Sequence, residues 1–177
     1  TSKLAAKQDL EFYKIDEELM TKIATTDSAP PIVAIAKMPK IPATKITSGA
    51  NLFLYCEDIQ DPGNIGSIIR TAFAAGVETI YLSPNSVDIY NPKVLRSSMG
   101  SVFYGAIEYI ELDQLINKLK QESSEANCSL EVIGTSSHSQ TDFREIQLNP
   151  MKNILTLVGN ETRGLSEASQ KLCTRLV

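Results

Sequence analysis

Asp61-Pro62-Gly63-Asn64-Ile65-Gly66-Ser67-Ile68-Ile69-Arg70-Thr71 joins two kinds of periodicity. Before it lies an apolar run, Leu52-Phe53-Leu54-Tyr55-Cys56, which reads as a short buried strand. After the Pro-Gly turn, Ile65, Ile68, Ile69, Ala72 and Phe73 recur at the spacing of one buried helical stripe, which predicts a helix over 64–75. A strand, a tight turn and a helix start place backbone N–H groups and selected side chains at the carboxyl edge of a sheet, where ligands bind in open α/β folds. At about 100° per residue Arg70 falls about 140° around the helix from Ile65 and leaves the apolar stripe. Asn64 stands at the helix entrance, where it reads as an N-cap or turn residue.

A second segment repeats the pattern. The run Ile154 to Val158 leads into Gly159-Asn160-Glu161-Thr162-Arg163-Gly164-Leu165, with a helix expected from about Ser166. Between the two segments the same alternation continues. Strands are expected at 79–82, Ile107–Ile110 and Leu130–Gly134. Asn91 before Pro92 is an N-cap followed by a first-position proline, so a helix starts there. A further helix is expected from Leu112 to Glu122, with Leu112, Leu115, Ile116 and Leu119 inward. Regular alternation implies an α/β fold, a parallel sheet with helices on both faces. The first ~46 residues contribute a helical pattern (Leu10, Ile15, Leu19, Ile23) and a short strand, Ile32–Ala36, too little to fold alone. Pro39, Pro42, Thr47, Ser48 and Gly49 mark a linker before the first main strand.

Composition narrows the function classes. With 177 residues, 42% of them hydrophobic, the chain can bury a core. No apolar run reaches the ~20 residues that span a bilayer. Cys56, Cys128 and Cys173 show no paired spacing and suit free thiols in a reducing cytoplasm. His138 is the only histidine, which argues against a metal site, and its polar surroundings make it a solvated loop residue. The net charge of −4 weighs against strong phosphate binding. Lys93, Arg96, Arg70 and Arg163 nevertheless fall near the proposed site and can form a local basic patch.

The order Asn-x-Gly-x-x-x-Arg-Thr-Ala and the segment Leu157–Leu165 together resemble the first two motifs of the SpoU, or TrmH-like, branch of the SPOUT methyltransferases. Asn91 to Phe103 is similar to the connecting helix and turn of that family, and the resemblance covers roughly residues 50–177. It implies a trefoil-knotted sheet, a homodimer, and transfer of a methyl group from S-adenosylmethionine to a ribose 2′-hydroxyl of RNA. Residues 1–46 look like the last part of an α/β ribosomal-protein-like recognition domain plus linker, or else a simple N-terminal extension packed on the main domain, ahead of a methyltransferase domain over 47–177. That likeness favours ribosomal over transfer RNA. The third family motif, which follows the last helix in relatives, is missing before Val177. An incomplete representation of a longer enzyme, and a catalytically silent RNA-binding module of the same fold, both accommodate that.

By the same resemblance Arg70, Asn64 and Glu161 form the catalytic set. A guanidinium beside the ribose can stabilise the developing alkoxide and grip the adjacent phosphate. Asn64 places the arginine and the ribose, and Glu161 is expected to orient Arg70 through a salt bridge. Thr135, Ser136, Gly159 and Asn160 line the methyl-donor pocket, with Gly159 letting backbone approach the adenosine. Arg70, Lys93, Arg96 and Arg163 meet RNA. A nucleotide-binding protein of another sort would need a Gly-rich loop ending in Lys-Ser/Thr, which the chain does not contain.

Overall fold

The computed structural model describes residues 11–26, 28–39, 41–43, 45–46, 51–149 and 151–177. It divides into two units, Thr1–Met38 and Pro39–Val177. In the first, the Asp16 carboxylate accepts a hydrogen bond from Leu19 N and caps a helix, α1 (Glu17–Ile23), which buries none of its residues. Of the apolar positions expected to define this helix, Leu10 lies outside the described residues, as do Thr47, Ser48 and Gly49 of the expected linker. The strand expected at Ile32–Ala36 does not form, and Ile35 is fully exposed. Its β-branched residues favour extended backbone, but a strand needs a neighbour for its N–H and C=O groups. None of the described residues supplies one.

The second unit is an all-parallel six-stranded sheet. Its strands are β1 (Leu52–Cys56), β2 (Thr79–Leu82), β3 (Ala106–Tyr109), β4 (Ser129–Gly134), β5 (Lys152–Val158) and β6 (Arg175–Leu176), in the spatial order β3-β2-β1-β5-β4-β6. Four helices connect them: α2 (Pro62–Ala74), α3 (Pro92–Ser97), α4 (Leu112–Glu125) and α5 (Glu167–Leu172). Because successive residues of a strand face opposite ways, the sheet separates two cores. Phe53, Tyr55, Leu155 and Leu157 pack with Leu112, Leu115, Ile116 and Leu119 of α4 on one face. Leu54, Cys56, Ile80 and Leu82 pack with Ile65, Ile69 and Ala72 of α2 and Val94 of α3 on the other. Each fully buried Leu, Ile or Phe contributes roughly 1.5–3 kcal/mol, so both faces are needed to hold the sheet.

Two elements depart from expectation. α2 starts at Pro62 and is capped by Asp61, whose Oδ1 accepts from Gly63 N (2.7 Å) and Asn64 N (2.9 Å). Asn64 is therefore inside the first turn and does not cap the helix, and its side chain is released for other contacts. The two-residue strand β6, too short to leave a pattern, pairs with β4 through Ile133–Arg175 and Gly134–Leu176. Cys173 caps α5 and does not belong to its body. Gly134 leaves room for the side chains over this strand: a Cβ there would lie 2.6 Å from Cys173 Sγ and 2.8 Å from Leu176 Cδ2, so both would have to shift.

The strand order decides where a site can form. The chain runs outward from β1 to β2 and β3, then comes back to the other side of β1 through β4 and β5. The loops leaving the carboxyl ends of β1 and β5 thus flank the point where strand order reverses, the crevice in which open α/β sheets bind ligands.

Candidate active site

At that crevice the two loops interlock through side chains far apart in sequence. Glu161, after β5, accepts Asn64 Nδ2 (3.1 Å) and Asp61 N (3.1 Å) on Oε1, and Gln60 N (3.4 Å) on Oε2. Asn160 donates through Nδ2 to the Asp58 carbonyl (2.8 Å) and accepts Thr162 N and Arg163 N on Oδ1. The Arg163 guanidinium lies 3.6 Å from Asp58 Oδ2. Glu57, directly after β1, accepts Ser166 Oγ (2.7 Å), Ser169 Oγ (2.6 Å) and Ser166 N (3.0 Å), tying β1 to the N-cap of α5. Asp58 takes a positive φ of 52°, which a non-glycine residue adopts only where its surroundings hold it.

The electrostatics follow from these contacts. Partial burial pushes the Glu161 carboxyl upward, but hydrogen bonds from its own backbone, Asn64, Asp61 and Gln60 outweigh that and leave it below its ordinary value. Asp61 is likewise lowered, first by Asn64 N and then by Lys93, whose Nζ sits 3.3 Å from Asp61 Oδ2. Both carboxylates are anions at neutral pH, and each fixes part of the first turn of α2.

Of the expected site residues, Asn64 and Glu161 come together directly, while the expected Glu161–Arg70 salt bridge is not formed. Glu161 points at the N-terminus of α2, and Arg70 lies further along the helix, exposed and without an ion pair among the described residues. Thr135, Ser136, Gly159 and Asn160 all line one open cleft of about 660 Å³, with Glu161, Arg163 and His138 on its rim. Gly159 has a tighter reason than access for a ligand. A Cβ there would lie 2.1 Å from Gly164 C and 2.2 Å from Leu165 N, inside the loop closed by the Asn160 and Gly164 backbone pair. Lys93 is engaged with Asp61 and Arg163 with Asp58; Arg96 is exposed on α3.

The far wall of the cleft hangs from β6. Ser136 N donates to Val177 O (2.6 Å), Val177 N to Gly134 O (2.9 Å), and Ser139 Oγ to Leu176 O (3.1 Å). β6 is held in turn by Glu131, a carboxylate 2% exposed in the sheet. Arg175 Nη2 approaches its Oε1 to 2.7 Å, off the hydrogen-bond axis, and Lys152 Nζ lies 3.5 Å from Oε2. Glu57, Asp58 and Glu131 were missed by sequence reasoning. The one signal available was Asp61 ahead of a first-position proline, which marks it as the cap.

Residues 51–177 match the family described as the SpoU rRNA Methylase family. The chain is 30% identical over 159 residues to the 23S rRNA (guanosine(2553)-2′-O)-methyltransferase RlmP of Bacillus subtilis, covering 90% of this chain and 59% of that protein. It is 31% identical to the 23S rRNA (uridine(2479)-2′-O)-methyltransferase of Streptomyces viridochromogenes, over 88% of this chain and 54% of that one. The solved AdoMet-bound rRNA methyltransferase of Sinorhizobium meliloti superposes with a TM-score of 0.76 at 27% identity, covering 91% of this chain and 59% of its own. This chain therefore spans a little over half the length of the relatives it matches.

Proposed function

The chain belongs to the SpoU rRNA methylase family, and on that premise we propose that it transfers a methyl group from S-adenosylmethionine to a ribose 2′-hydroxyl of ribosomal RNA. The observation that carries the reading is the Asn64–Glu161 bond across the β1/β5 crevice, beside a cleft of ligand size. The cleft suits the donor: its walls combine Thr135, Ser136 and Asn160 with the apolar Val158, Leu165 and Val177, a match for a molecule that is part nucleoside and part charged amino acid. Bound there, the donor supplies an electrophilic methyl that needs little activation.

The protein's part is to hold and polarise the hydroxyl. With Nδ2 of Asn64 donating to Glu161, the amide is oriented and its Oδ1 is left as an acceptor for the ribose hydroxyl. Arg70, exposed and unpaired among the described residues, stabilises the oxygen as negative charge develops and grips the neighbouring phosphate. A guanidinium does not give up its proton, so solvent or phosphate takes the hydroxyl proton. Arg96, Lys93 and Arg163 extend the phosphate contacts. Lys93 and Arg163 must partly leave their carboxylates to do so, an exchange between exposed ion pairs worth little either way. A homodimer is part of the proposal.

The test is methyl transfer from labelled S-adenosylmethionine to ribosomal RNA, with the product nucleotide checked for 2′-O-methylation. Arg70→Ala should lose at least a hundredfold in rate while donor affinity, read by calorimetry, stays within twofold. Retained RNA binding with no transfer, by this chain and by one extended through the third family motif, would refute the enzyme and support a silent binding module.

A further inference from the structure

The turn from Met99 to Tyr104 exposes three large apolar side chains in six residues. Met99 is 75% exposed, Phe103 49% and Tyr104 84%. Positive φ angles at Met99 (53°) and Gly100 (84°) reverse the chain, and buried Val102 anchors the short 3-10 helix Ser101–Phe103, so its neighbours are held outward. The turn packs against α2, where Phe73 fills the space above Gly105: a Cβ on that glycine would lie 2.4 Å from the ring. Phe73 is one turn along α2 from Arg70, which sets the exposed aromatics and the proposed catalytic arginine on adjoining surface.

Charge identifies what this surface meets. Residues 62–77 and 92–105, the two segments packed together here, contain Arg70, Lys93 and Arg96 and no Asp or Glu, although the chain as a whole carries 21 acidic against 17 basic residues. The carboxylate that borders these segments, Asp61, is already engaged by Lys93. A surface of this kind, with Arg70, Arg96 and outward aromatics, fits a polyanion that also offers flat faces, which is unpaired RNA. We infer that the Met99–Tyr104 turn is a stacking platform for unpaired nucleotides flanking the methylated one. Tyr104 and Phe103 take the bases, Met99 covers their edge, and Arg70 and Arg96 hold the phosphates. The inference rests on the RNA-directed reading above and adds that the target is presented single-stranded.

Fluorescence anisotropy with an unstructured 12-nucleotide RNA and a blunt RNA duplex, at fixed salt, tests it. Because Tyr104 is largely exposed, Tyr104→Ala should fold normally. It should weaken single-stranded binding by about 5- to 150-fold, the range for losing one stacked base, and duplex binding by less than about threefold. Tyr104→Phe should restore most of the loss, since the ring stacks without its hydroxyl. Arg96→Gln should instead lower the salt slope by about 0.7, which Tyr104→Ala leaves unchanged. Single-stranded affinity unchanged in both Tyr104→Ala and Phe103→Ala overturns the platform while leaving the function intact. Loss accompanied by a change of oligomeric state in light scattering also overturns it, because the occupant is then a second copy of the chain. A wild type that binds neither RNA overturns the proposed function and the platform with it.

Discussion

The ion pair between Glu131 and Arg175 should respond asymmetrically to removal of its two halves. Glu131 is 2% exposed, Arg175 41% and Lys152 37%. Arg175→Met keeps the aliphatic stem but leaves a buried carboxylate with Lys152, 3.5 Å away, as its one remaining counter-charge among the described residues. Breaking a fully buried pair in this way costs roughly 3–5 kcal/mol, and the surviving lysine reduces that here to about 2–3 kcal/mol. Glu131→Gln leaves two cations that already reach water and can resolvate, so its cost is about 1 kcal/mol. For a chain of this size each kcal/mol moves the melting temperature by about 2–4 °C, giving roughly 4–12 °C for Arg175→Met and 2–4 °C for Glu131→Gln. Urea and thermal unfolding of both variants measure the difference. A Glu131→Gln loss equal to or larger than that of Arg175→Met would refute the reasoning, because it would mean the buried member is not the one that needs its partner.

Gly66→Ala should destabilise by about 1–3 kcal/mol, read in urea, because its Cβ would fall 1.9 Å from Ser97 Oγ and 2.8 Å from the Ser98 backbone nitrogen, forcing α2 off α3. Gly76→Ala, with open space but a φ of 86°, should lose only about 1 kcal/mol. The Glu161 lock carries a pH signature. A carboxylate held below its ordinary 4.5 contributes in full above that value and loses its contribution as pH falls through the lower folded one. The Asn64 side-chain amide resonances should therefore stay flat above pH 4.5 and move only below it. Burial pushes the Cys56 thiol up to about 12, so at pH 8 an alkylating reagent should label partly exposed Cys128 in the native protein and reach Cys56 only after unfolding; early modification at Cys56, located by peptide mapping, would contradict the packing.

What the sequence made legible was local. The stripe Ile65, Ile69, Ala72, the inward set Leu112, Leu115, Ile116, Leu119, and the Asn91-Pro92 helix start all sit where periodicity and capping put them. Errors arose where a residue had two local roles or needed a remote partner. Asn64 after Pro-Gly looks like a cap, yet Asp61, one residue before the proline, has the better reach to the free N–H groups. Ile32–Ala36 has strand composition and no ladder, because propensity cannot create a neighbour. Glu161 was paired with the wrong side chain, since the choice between Asn64 and Arg70 depends on how β5 sits beside β1. That adjacency, like the Glu57 link to Ser166, is a property of strand order, which no window of residues reports.

The span of those contacts predicts a centre that forms late in folding. Asn64 and Glu161 are 97 positions apart, and Glu57 and Ser166 are 109. Closing such distances is entropically costly, so it follows the nearer pairings of β1, β2 and β3. A chain arrested with those three strands assembled would hold Asn64 and Arg70 on a finished helix and have nothing for them to work with. The proposed methyl transfer would then serve as a certificate of completion, since a molecule that turns over would be one in which β5 has already docked beside β1.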